Sequence, residues 1–168
     1  MSNFLKFIFI FFISSLASAE QIKINLNARV LEKACTLSND NVIVSMPIGE
    51  VRGKKVNSSF GKTKFSIIIS NCPNNISNAH IAFKADADIN NPQLIKNMEA
   101  DGYAKGVALG LFDSNENIID ISSNSTDILI DHALAENKID FSVAYFKSAV
   151  DSRAGKVLGI VEFGISYD

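Results

Sequence analysis

The chain has 168 residues, enough for one domain, with 16 basic and 18 acidic side chains and a formal net charge of −2. No basic excess exists to hold nucleic acid or an anionic lipid surface. Two histidines, two cysteines and no tryptophan leave little material for metal or acid–base chemistry.

The first residues carry Lys6, the apolar run Phe7-Ile8-Phe9-Ile10-Phe11-Phe12-Ile13, and then Ser14-Ser15-Leu16-Ala17-Ser18-Ala19. A charged lead, a short apolar stretch and an Ala-x-Ala site together read as a secretory signal peptide over residues 1–19. The apolar run is too short to cross a membrane as a helix. Cleavage after Ala19 leaves 149 residues with a net charge of −3. Export gives meaning to Cys35 and Cys72, because an even cysteine count outside the cytosol suggests one disulfide. It would close a loop of about 38 residues, worth roughly 4 kcal/mol in the chain-entropy model. Neither histidine lies near a cysteine and Cys-x-x-Cys is absent, so no metal site is indicated.

Residues 20–30 alternate, with Ile22, Ile24, Leu26, Ala28 and Val30 on one face and Lys23, Asn25, Asn27 and Arg29 on the other. This predicts a strand with a polar outer face. Val42-Ile43-Val44-Ser45-Met46 predicts another, stopped by Pro47. A third covers residues 60–71 around Phe65-Ser66-Ile67-Ile68-Ile69 and ends at Cys72-Pro73. A bond from Cys35 to Cys72 would therefore staple the start of one strand to the end of another. Pro73-Asn74-Asn75 is a turn. Residues 79–85 form a strand, with His80, Ala82 and Lys84 opposite Ile81 and Phe83. Residues 86–103 are polar and irregular, with room for a short helix at 93–99. Residues 106–112 are strand-like, with Val107, Leu109 and Leu111 on one face. Asp113-Ser114-Asn115-Glu116-Asn117 makes a hairpin turn, and residues 118–121 return. A turn at 122–127 precedes a strand at 128–130, and residues 138–146 alternate through Ile139, Phe141, Val143 and Tyr145. The last strand is predicted over residues 155–168, with Val157, Val161, Phe163, Ile165 and Tyr167 on one face. Eight to ten short strands with little helix point to an all-β protein, a sandwich of immunoglobulin-like type.

The motifs that carry chemistry are few. His80 falls in a strand pattern and His132 beside a turn, neither near a Gly-x-Ser-x-Gly serine, so both read as structural. The run from Asp113 resembles the start of a calcium loop, but Ile118 and Asn124 stand where glycine and glutamate are needed, so the hairpin reading prevails. Asn57, Asn75 and Asn124 match the short Asn-x-Ser/Thr acceptor pattern, and each reads first as a polar turn. What survives is the two ends together. A strand that runs into the last residues stays ordered only if both its sides are paired or its outer edge is reserved for a partner. The 20–30 segment has the matching alternation and can add to the sheet edge of a neighbour. Burying Ile22, Ile24, Leu26 and Val30 would contribute about 6–12 kcal/mol before ordering costs.

These residues resemble a pilin of the chaperone–usher class, the type 1 fimbrial subunit family. The motifs are the alternating segment that leads to Cys35, Phe65-Ser66-Ile67-Ile68-Ile69-Ser70-Asn71-Cys72, and Gly106-Val107-Ala108-Leu109-Gly110-Leu111-Phe112-Asp113. Phe141-Ser142-Val143-Ala144-Tyr145-Phe146, followed by Gly155 and by Phe163-Gly164-Ile165-Ser166-Tyr167, is similar to the family's C-terminal signature with its penultimate tyrosine. The resemblance implies an incomplete immunoglobulin-like β-sandwich that lacks its last strand, over residues 31–168, preceded by a donor-strand extension at 20–30. Ile22, Ile24, Leu26, Ala28 and Val30 would be the donor side chains. Gly155, Val161, Phe163, Ile165 and Tyr167 would belong to the groove and the chaperone-recognition strand. The implied partners are neighbouring pilin subunits, a periplasmic chaperone and an outer-membrane usher; no cofactor and no nucleic acid are implied, and a host receptor is not specified. The family's extension carries a glycine among its alternating positions, where the nearest match here is Ala28. The stretch before Cys35 is also short, as in a minor adaptor subunit. The implied function is a structural subunit of a bacterial surface fimbria, not an enzyme. The competing reading is a self-contained secreted sandwich that binds a ligand through its loops.

Overall fold

The computed structural model describes residues 34–38 and 42–167. Residues 1–19, where the sequence predicts a signal peptide, and the alternating positions Ile22, Ile24, Leu26, Ala28 and Val30 lie outside the described residues. In chain order the strands are β1 (Thr36–Leu37), β2 (Ser59–Ser70), β3 (Asn78–Ala85), β4 (Val107–Phe112), β5 (Ile118–Ile119), β6 (Thr126–Leu129), β7 (Glu136–Lys147) and β8 (Val161–Tyr167). They form two antiparallel sheets, one of five strands in the order β1-β2-β7-β4-β5 and one of three in the order β6-β3-β8.

The five-stranded sheet is built on β2 and β7, which pair with Phe65 opposite Phe141 and Ile67 opposite Ile139. Their inward residues meet Ile81 and Phe83 of β3 in one apolar core. The Phe83 and Phe141 rings pack edge to face at 5.0 Å, the geometry that aromatic quadrupoles favour. A second, smaller cluster of Leu94, Ala108, Phe112, Ala144 and Phe146 covers the other face of β4 and β7. This is why β4 is buried along its whole length, where the sequence predicts only one apolar face.

The disulfide joins Cys35 to Cys72. It sits where β1 meets the end of β2, with Thr36 opposite Ser70. The bond therefore staples two strand ends, as the spacing predicts.

Three elements differ from the sequence reading. No helix occurs among the described residues, and 93–99 is extended. Ile95 and Leu109 exchange both main-chain hydrogen bonds, at 2.7 and 3.0 Å. Leu94 and Ile95 are buried in different clusters, a period of two that a helix cannot satisfy. Residues 42–46 keep their alternation, with Val42, Val44 and Met46 turned inward and Ile43 outward, but have no ladder partner among the described residues. The last strand starts at Val161, so Gly155 lies outside it.

Candidate functional site

Beside β8 lies an apolar groove, and its walls follow from two alternating sequences. One wall is β8 and the residues before it. Val161, Phe163, Ile165 and Tyr167 face inward and are half-buried, while Glu162, Gly164 and Ser166 face out. On one side β8 pairs with β3, Phe163 opposite Phe83 and Ile165 opposite Ile81. Among the described residues no strand pairs with its other edge. The facing wall is the extended 42–46 segment, which presents Val42, Val44 and Met46. The floor is Phe65, Ile95, Leu109, Leu111 and Val143, and the groove holds about 730 Å³.

The contrast in burial within one sheet is informative. Ala79, Ile81 and Phe83 of the central strand β3 are buried, whereas their β8 neighbours are only half covered. A row of large apolar side chains aimed into a sandwich yet left partly exposed is an uncovered apolar face beside a sheet edge.

The groove continues past Tyr145. A second stretch of about 600 Å³ is lined by Met46, Tyr145 and Val157, which it shares with the first, and by Ile48, Gly49 and Gly155. The Tyr145 hydroxyl donates to the Pro47 carbonyl at 3.1 Å and so ties the facing wall to β7. Burial raises the Tyr145 phenol above its ordinary value. Gly155 sits where a side chain cannot. A Cβ there would lie 2.4 Å from backbone atoms of Tyr103 and Ala104. At the other end of β8, burial raises the Tyr167 phenol, partly offset by a hydrogen bond from the Cys35 backbone. The disulfide region and the end of the strand are thereby joined.

The remaining motifs are structural. His80 Nδ1 lies 2.8 Å from Asp127 Oδ1, and His132 Nε2 contacts the Ile76 carbonyl at 3.0 Å. Asp113 accepts from the Asn115 and Asn117 backbone N–H groups at 2.9 and 2.8 Å, which fixes the hairpin turn. Burial, the largest single effect, pushes this carboxyl up, but the hydrogen bonds from Asn117 and Asn115 together outweigh it and hold the carboxyl below its ordinary value. The Asn124 side chain bonds both the N–H and the carbonyl of Phe83, at 2.7 and 2.8 Å, and so clamps a turn onto β3. No cluster of metal-ligating side chains occurs among the described residues.

Sequence reasoning missed three residues that shape the groove: Ile95, Asn97 and Tyr145. Ile95 and Asn97 lie in a stretch that reads from the sequence as polar and irregular, with room for a short helix. Tyr145 reads as ordinary core, and its hydroxyl partner Pro47 is 98 positions away.

Residues 23–168 match the Fimbrial protein family. The fimbrial-like protein YcbU of Escherichia coli is 20% identical over 158 residues, covering 90% of this chain and 87% of that protein. The probable major fimbrial subunit LpfA, also of Escherichia coli, is 21% identical over 150 residues, covering 86% and 83%. In fold, the P pilus rod subunit PapA superposes with a TM-score of 0.65 at 12% identity, covering 81% of this chain and all of that one. An open two-sheet sandwich with this strand order and a match along residues 23–168 lead to one conclusion: the protein belongs to the fimbrial protein family.

Proposed function

We propose that this fimbrial subunit polymerises by donor-strand exchange, accepting the 20–30 segment of a neighbouring subunit into the groove beside β8. The protein is a structural component of a cell-surface pilus, and its partners include other pilin subunits. The observation that carries the mechanism is the partly exposed row Val161, Phe163, Ile165 and Tyr167 on a strand whose outer edge has no partner among the described residues, with Val161 and Phe163 lining an apolar groove opposite Val42, Val44 and Met46. An incoming strand with Ile22, Ile24, Leu26, Ala28 and Val30 on one face supplies the missing apolar layer, and its main chain supplies the missing ladder. Lys23, Asn25, Asn27 and Arg29 then face water.

Before assembly the same groove needs cover. A periplasmic chaperone lending a strand along β8 meets that need, and exchange for the next subunit's extension at an outer-membrane usher completes the cycle. The role is structural: the family is one of pilus subunits, and both histidines are engaged in holding turns and strands.

The test replaces Ile24 and Leu26 with Asp. The variant is expected to lose polymerisation while still being captured by its chaperone, because the donor face is disabled and the groove is intact. Long fibres from this variant, seen by electron microscopy, would overturn the assignment.

A further inference from the structure

β8 is 7 residues long, whereas the alternating positions from Ile22 to Val30 span nine. A seven-residue edge cannot pair with all nine. The chain before β8 makes up the difference. Lys156 donates its N–H to Gly102 at 2.9 Å and accepts the Ala104 N–H at 2.8 Å. Leu158 donates to Asn97 Oδ1 at 2.8 Å and accepts the Met98 N–H at 2.9 Å. Lys156 and Leu158 thus turn their main-chain groups to one side, toward 97–104. Burial alternates through 157–161, as in an extended chain. In such a chain, main-chain groups point alternately to the two sides. Those of Val157 and Gly159 therefore point the opposite way, and they have no hydrogen-bond partner among the described residues. Both residues also line the groove.

One buried side chain holds this arrangement. Asn97 is 5% exposed. Its Nδ2 donates to Ala104 O at 2.8 Å and to Lys156 O at 3.4 Å, while its Oδ1 accepts from Leu158. Gly159 lets this wall sit close to the floor: a Cβ there would lie 2.8 Å from a Leu109 methyl and 2.9 Å from an Ile95 methyl, so those side chains would have to shift.

We propose that the edge receiving the donor strand runs from Val157 to Tyr167, and that Asn97 is the positioning residue that builds its first part. The inference rests on the donor-strand reading and adds where the donor's ladder extends beyond β8.

The experiment uses the Ile24→Asp, Leu26→Asp subunit, refolded with an excess of synthetic peptide spanning residues 20–30. Amide hydrogen exchange is followed residue by residue. The expected result is protection of Val157 and Gly159 together with β8. With peptides 20–26 and 24–30, one of the two should release those amides, on the order of tenfold faster exchange, while β8 stays protected. Asn97→Leu should do the same with the full peptide. Rapid exchange at Val157 and Gly159 in the full complex overturns the proposal, and so does a uniform rise across β8 in the Asn97 variant. Failure of the subunit to take up any peptide overturns the donor-strand reading itself, a distinct outcome.

Discussion

At the scale of single residues, the sandwich contains polar groups that are well held and one that is not. Ser142 is buried on β7 and its hydroxyl has no hydrogen-bond partner among the described residues. An unmade bond in an apolar setting costs about 1–3 kcal/mol. Ser142→Ala is therefore expected to leave stability unchanged or raise it by about 1 kcal/mol in a denaturant titration. Asp140 is the opposite case. It accepts from Ser66 Oγ at 2.6 Å and pairs with Lys138 at 3.1 Å, and these contacts hold its carboxyl below the ordinary value. A lowered folded value means the contribution is present above the unfolded value and is lost as pH falls through the folded one. The site is exposed, so the effect is about 0.2–1 kcal/mol. Asp140→Asn should be less stable than the parent at pH 7, and the gap should close toward pH 2. An unchanged gap across that range would refute the role.

At the scale of elements, alternation in the sequence locates most strands, because side-chain period reports which faces are covered. Residues 79–85 and 138–146 are read almost to their ends. What alternation does not report is the neighbour. Residues 42–46 alternate like a strand, yet they form a groove wall with no ladder partner among the described residues. The 93–99 stretch is extended because Leu109 offers Ile95 both of its main-chain groups, and nothing local in the sequence encodes that. Asn97 was illegible for the same reason, since its partner Leu158 lies 61 positions away. The disulfide was legible from compartment and count alone. Replacing both Cys35 and Cys72 with Ser frees β1, which is only 2 residues long, and is expected to cost roughly 4 kcal/mol. Thermal unfolding of the double variant under non-reducing conditions measures it. A loss below about 1 kcal/mol would mean that β1 is held by other contacts.

At the scale of the whole molecule, an open groove ties stability to occupancy. A ligand that binds only the folded state stabilises it by about 2.7 kcal/mol at a concentration 100 times its Kd. The Ile24→Asp, Leu26→Asp subunit should therefore self-associate when alone, and become monomeric with a raised melting temperature when peptide 20–30 is added. A melting temperature indifferent to the peptide would favour the self-contained binding module instead. The strand order carries a further consequence, in time. The central pair, β2 with β7, joins Ser66 to Asp140 across 74 positions, so the sheet forms only when distant parts of the chain meet. Folding dominated by such remote pairings is slow, on the order of milliseconds to seconds. Throughout that interval, strands that will later wall the groove stand exposed beside those of other newly exported chains. A partner that captures β8 early shortens the period of risk, so the rate of capture, and not affinity alone, would decide how much subunit survives to be assembled.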